Sequence, residues 1–185
     1  MAFDLLYGLI YPSVIGTMLY DFLPVTLFPL LHGTIASGFL PTCAKAFLIL
    51  QFTNDYMYTK RVVEKVEWNL LLPIVDFLII GTIRYAYWAL EDKNTIRISD
   101  LVVSLLVVHL LYLIWNIKTC REYAVSKLDW TFCIAGSILF GLLWLASLVS
   151  WVRANQLLIC TVILFAESSA GMLLNFFIRP PTDRK

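Results

Sequence analysis

Four apolar stretches, each about long enough to cross a bilayer as a helix, dominate this chain: Asn69 to Leu90, Asp100 to Ile117, Asp129 to Trp151 and Gln156 to Ile178. Hydrocarbon offers no water to unpaired backbone groups, so a segment that enters it must close its own hydrogen bonds, and helices do this within one segment. The joining segments, Glu91 to Ser99, Lys118 to Leu128 and Val152 to Asn155, are short enough to make consecutive helices antiparallel neighbours. The expected fold class is therefore all-α: a polytopic integral membrane helix bundle of five or six transmembrane helices with short loops, forming one membrane domain over residues 1–185. Composition agrees, since 60% hydrophobic residues, 15% charged residues and a mean hydropathy of +0.79 lie outside the range of soluble domains of this length.

The first 53 residues allow two readings. Pro12, Pro24, Pro29 and Pro41 interrupt them, and each removes a backbone donor. One reading has spans over 3–20 and 25–52, the second kinked at Pro41. The other has a single span after an interfacial first segment. Six spans is the preferred count.

Net charge is +1, so no overall basic field points to nucleic acid, and the lipid bilayer is the expected partner. Read locally, Lys and Arg fix an orientation, because short cytoplasmic loops carry the excess of both. Lys60, Arg61 and Lys65 fall in the segment 54–68. Lys118, Arg121 and Lys127 fall in one loop, and Arg179, Arg184 and Lys185 in the tail. The opposite side has Lys93, Arg97 and Arg153. The first three groups are expected in the cytoplasm, with the C-terminus, and their basic surface would meet anionic lipid or a soluble cytoplasmic partner. The start has neither the basic region nor the cleavage pattern of a removable signal peptide. The four cysteines form no CxxC, which favours free thiols over a redox or zinc site. No HExxH, Walker A, GxSxG or GxGxxG motif is present, and no cofactor or metal is expected.

Four ionisable residues lie deep in the apolar stretches: Asp76, Arg84, His109 and Glu167. At 1.5 Å rise per residue, Glu167 is about 16 Å and His109 about 13 Å below the outer ends of their helices, so they share a level near the midplane. Arg84 falls above that level and Asp76 below it. A charge there must face other helices, water or a counter-charge, and Glu167 is expected to be held by Arg84, by His109 or by both, a pair with Arg84 being the simplest solution. His32 is expected to be a hydrogen-bonded packing residue. Small residues suggest where backbones approach closely: Cys133, Ser137 and Gly141 form one stripe, with Leu143 on the lipid side, and Ala166, Ala170 and Gly171 flank Glu167. These faces serve helix packing within the chain or a homo-oligomer.

Little sequence remains for a soluble catalytic domain, so any chemistry belongs in the membrane or at its surface. The leading expectation is a homo-oligomeric channel-like or membrane-sensing subunit that signals to a cytoplasmic partner. The alternatives are a proton-coupled small-solute carrier and, last, an intramembrane enzyme using His109 with Glu167 or Asp76. In size and span pattern the chain resembles small polytopic subunits of bacterial phage-defence systems, such as the membrane subunit of Kiwa. That resemblance rests on no motif and assigns no residue; it implies a bacterial inner membrane and an antiviral defence setting.

Overall fold

A computed structural model describes residues 5–24, 28–33, 38–63, 70–91, 97–119 and 127–174. Among these residues the regular structure is helical and no strand occurs. A π-helical turn, Leu6–Ile10, runs into α1 (Tyr11–Phe22), whose Pro12 sits in the first turn where its missing N–H is harmless. A four-residue helix, α2 (Phe28–Leu31), precedes α3 (Phe39–Val63). Then follow α4 (Leu71–Trp88), α5 (Ile98–Thr119), α6 (Lys127–Ala146) and α7 (Ser150–Leu173). Helices α4, α5 and α7 are long and apolar enough to cross a membrane, and α6 contains a shorter apolar helix, Trp130–Ala146.

The six longer helices alternate in direction. Tyr87 Oη donates to Met18 O at 3.0 Å and Arg84 pairs with Asp21 at 3.2 Å, so α1 and α4 run side by side in one sense. Contacts at both ends of α3, Tyr56 Oη to Tyr7 O at 3.0 Å and Lys45 over the Tyr87 ring at 5.5 Å, show that α3 runs against them. α5 and α7 share the direction of α3, and α6 opposes it. The tightest neighbours are α4 with α5, α5 with α6, and α3 with α7, while α1 fills the space between α3 and α4.

The second N-terminal helix differs from the expected span over 25–52. It begins at Phe39, after Gly38, whose φ of +80° is a conformation that side chains rarely adopt. Pro41 therefore lies in the first turn, where it makes no kink. The helix also continues through Val63, so the first part of the basic segment 54–68 is helical; Lys65 and Trp68 lie outside the described residues.

The last turn differs too. Val152 to Asn155 is not a loop, because α7 starts at Ser150 and the chain reverses at residues 147–149. Ser147 Oγ donates to Trp144 O at 2.6 Å, and Arg153 Nε, from the first turn of α7, reaches back to Ser147 O at 3.0 Å. The end of α6 is thus closed by side chains, which lets the reversal be this tight.

The core gathers Tyr11, Met18, Phe52, Tyr87, Ile79, Leu105, Trp115 and Phe140, all nearly without exposure. The outer surface is the reverse of a soluble protein's: Phe77, Ile117, Leu142, Trp144, Leu148, Trp151, Val162 and Phe165 are all exposed. Leu143, expected on the lipid side, is buried at 5% exposure.

Candidate functional site

His109 and Glu167 meet inside the bundle. Helical geometry places the His109 ring over the preceding turn of α5, where Nδ1 donates to Leu105 O at 2.7 Å. That bond fixes Nδ1–H and turns Nε2 toward α7, where it lies 3.2 Å from Glu167 Oε1. Both side chains are almost fully buried, at 5% and 7% exposure. With Nδ1–H committed, the Nε2 to Oε1 contact needs one proton, carried either by the imidazolium or by the carboxylic acid. Either placement is neutral overall, which is what a buried pair requires. Remove the proton and a ring lone pair faces a carboxylate oxygen. The contact cannot then hold.

Gly136 makes the room for this pair. A Cβ at that position would lie 2.1 Å from His109 Cδ2, 2.3 Å from Nε2 and 2.8 Å from Glu167 Oε1. The imidazole therefore rests directly on the backbone of α6, with the Phe140 ring 5.2 Å away and Tyr112 edge-on at 6.1 Å.

The other oxygen of Glu167, Oε2, is buried and has no hydrogen-bond partner among the described residues. Glu167 lines a cavity of about 110 Å³ together with Gln51, Asn54 and Asp55 of α3 and Tyr112, Trp115 and Asn116 of α5. At about 30 Å³ per water this is room for three or four waters, or for a solute of a few heavy atoms. The cavity lies at the end of the bundle where α3, α5 and α7 finish and α6 starts. Lys60, Arg61 and Lys118 are exposed at that same end. Among the described residues its wall holds two carboxylates, Asp55 and Glu167, and no Lys or Arg.

A second polar layer adjoins the first. The stacked rings of Tyr7 and Tyr11, 5.3 Å apart, direct their hydroxyls to different carboxylates: Tyr7 donates to Asp76, and Tyr11 to Asp55 at 3.3 Å. Asp76 is completely buried, and among the described residues its Oδ1 has no hydrogen-bond partner.

Arg84 stands elsewhere. It pairs with Asp21 at 3.2 Å and approaches Glu91 at 3.7 Å near the opposite end of the bundle, its side chain 36% exposed. Of the two expected partners of Glu167, His109 meets it and Arg84 does not, because Arg84 projects toward the end of α1 and finds Asp21 there. His32 is exposed, and its Nδ1 donates to Phe28 O at 2.7 Å.

The small residues divide in their use. Gly141 faces Leu106 of α5, and Asn116 Nδ2 donates to Cys133 Sγ at 3.1 Å, so the Cys133, Ser137, Gly141 stripe is turned toward α5 within the chain. Gly171 admits Asn54, whose Nδ2 donates to Ser168 O at 3.1 Å, and Ser168 Oγ donates to Phe47 O at 2.9 Å. Ala166 is exposed and Ala170 partly so. Of the remaining basic residues, Lys65 and Arg121 lie outside the described residues, and Lys127 is at the first position of α6.

Asp55, Tyr7, Tyr11, Gln51 and Gly136 belong to the site but were not expected from sequence. For Gly136 a signal existed: it is one of two glycines inside α6, Gly136 and Gly141, and contacts His109. For Asp55 the signal misled, because it stands among charges that read as a solvated segment. The chain matches no family model, no curated protein and no solved structure.

Proposed function

We propose that the protein is an integral membrane protein of six spans, in an inner membrane with its C-terminus cytoplasmic, that exchanges protons for a small solute bound in the polar cavity. One observation carries this reading: a single side chain, Glu167, both shares a proton with His109 through Oε1 and borders the polar cavity. Its Oε2 is buried and has no hydrogen-bond partner among the described residues. Proton and solute thus act on one carboxylate. A cation that needs the charged form draws the proton away, the His109 contact weakens, and α5 is freed from α7. Occupancy is thereby linked to helix packing, the property a carrier requires.

Proteoliposomes loaded with a pH-sensitive dye test this reading against a panel of small cations, zwitterions and neutral polyols. At least one solute gradient should drive proton movement in the wild type, and Glu167→Gln, which keeps the shape but cannot exchange the proton, should abolish it. If no solute moves protons, the carrier reading fails.

A second reading, an oligomeric channel-like or sensing subunit, draws support from exposed Ala166 on α7, where another copy could approach closely. Exposed Lys60, Arg61 and Lys118 would then face a soluble partner or anionic lipid.

Orientation is open to a direct check. In a cysteine-free background, Lys60→Cys should resist an impermeant maleimide on intact cells. Leu148→Cys, 80% exposed at the other end of the bundle, should react. The reverse pattern would invert the assignment.

A further inference from the structure

The bundle closes on itself through a seam. Taken by packing, the helices run in the order α7, α3, α1, α4, α5, α6, each set against the next, so α6 and α7 are the ends that meet. Although consecutive in the chain, α7 packs more closely on α3 than on α6 or α5. Side chains stitch each flank of the seam to itself. Asn54 of α3 donates to Ser168 O of α7, Ser168 Oγ donates to Phe47 O, and the Phe47 and Phe165 rings stand 5.1 Å apart. On the other flank Asn116 of α5 donates to Cys133 Sγ of α6, and Gly141 of α6 meets Leu106 of α5. Asn54 and Asn116 both line the cavity, yet each bonds back into its own pair of helices. The cavity is therefore the seam left unpacked at one end. At the other end the 147–149 turn ties α6 to α7, with Arg153 on Ser147 O at 3.0 Å, and Phe140, Leu143, Cys160 and Leu164 join one buried apolar cluster. Between the two ends His109 crosses to Glu167 over Gly136.

We infer that α3 and α7 swing as one body away from α4, α5 and α6, pivoting at the 147–149 turn and widening the cavity, with the His109–Glu167 contact as the latch. The inference rests on the shared proton of the reading above and on no particular solute. Domain-like bodies separate where packing inside each is closer than packing between them, and a few residues at the end of an element absorb the change in dihedrals. Losing the shared proton sets a ring lone pair against a carboxylate oxygen, which releases the latch. The Tyr58–Trp115 ring contact, 6.0 Å between α3 and α5, parts as the seam widens. Opposite the seam, Tyr11 on Asp55 of α3 and Tyr7 on Asp76 of α4 keep both bodies on α1. Leverage is large: the 24 residues of α7 span about 36 Å, so a swing of about 10° carries the far end about 6 Å.

Double electron–electron resonance on the full-length chain in nanodiscs, cysteine-free apart from two labelled sites, tests this. Lys60→Cys on α3 with Lys118→Cys on α5 spans the seam at the cavity end, where both side chains are exposed. Lys60→Cys with Met172→Cys on α7, and Lys118→Cys with Ile134→Cys on α6, each stay within one body. As pH rises from about 6 to about 10, the Lys60–Lys118 distance should lengthen by about 5 Å or more, while both within-body distances hold. Other titratable groups stand near the latch: Tyr112 edge-on to His109, Cys160 on the helix of Glu167, and Asp55 of α3 and Cys133 of α6 in the cavity wall. Glu167→Gln separates them from it, because its amide donates to the neutral imidazole and leaves no shared proton to lose. In that variant the Lys60–Lys118 distance should stay short over the same range. A wild-type seam distance that does not move with pH overturns the inference, and this series needs no variant beyond the labels. Equal lengthening in Glu167→Gln, or in either within-body pair, overturns it too. Seam opening without solute-driven proton movement removes the carrier function and keeps the hinge, whereas proton-coupled flux with an unchanging seam distance keeps the carrier and removes the hinge.

Discussion

Gly136→Ala should be among the most damaging single-methyl additions in this protein. The new Cβ would fall 2.1 Å from His109 Cδ2, and the neighbour that must yield is an imidazole held on both sides, by Leu105 O and by Glu167. Overpacking of this kind costs about 1–3 kcal/mol. Displacing the ring also breaks a charge-assisted hydrogen bond worth about 1.5–3 kcal/mol. Against these stands the gain of about 1 kcal/mol from replacing a mid-helix glycine by alanine. The net expectation is a loss of about 1.5–5 kcal/mol, read as a lowered unfolding midpoint in detergent. Gly81→Ala is the control: it lies in α4 with nothing within 4 Å of its Cβ position, and should be neutral or mildly stabilising. Equal melting of the two variants would show that the α6 backbone does not seat the pair.

The second large effect concerns which partner of the pair is removed. His109→Leu leaves the Glu167 carboxyl buried at 7% exposure with neither oxygen bonded to protein, and should destabilise by about 3–5 kcal/mol, the cost of breaking a buried pair from one side. Glu167→Gln should cost under about 1.5 kcal/mol, because the amide can donate to Nε2 of a neutral imidazole and replace one hydrogen bond by another. Adding Arg84→Met to Glu167→Gln should rescue nothing. Arg84 is partly exposed and bound to Asp21, so its own loss should cost about 1 kcal/mol or less, and distant sites add. Recovery of stability in that double variant would restore the Glu167–Arg84 pairing and displace the geometry described above.

These expectations show which parts of the molecule the sequence makes legible. Helix class and the depth of His109 and Glu167 follow from hydropathy and a 1.5 Å rise, quantities that belong to one helix at a time. Partner choice does not. Arg84 and Glu167 are compatible in charge and close in level, but which neighbour a helix presents depends on rotation about its axis, and short loops leave that open. Asp55 falls in the basic segment 54–68, which by charge reads as a cytoplasmic surface, whereas α3 continues into it and carries Asp55 inward beside Tyr11. Leu143 illustrates the same limit: in a run that is apolar all round, hydropathy cannot separate the lipid-facing side from the buried side.

The π-helical turn at Leu6–Ile10 gives the N-terminal stretch a constraint of register. Such a turn accommodates an extra residue, and widening the backbone loosens the ordinary carbonyl pairing; here Tyr56 donates to Tyr7 O at 3.0 Å. Because the turn already absorbs its extra residue, deleting one residue between Tyr7 and Tyr11 would tighten it to the ordinary helix with little rotation of its flanks. The spacing of Tyr7 from Tyr11 would fall from four residues to three, and rings now stacked 5.3 Å apart would no longer lie one above the other. The wide turn is thus what lets two hydroxyls from successive turns address two different carboxylates, Asp76 and Asp55.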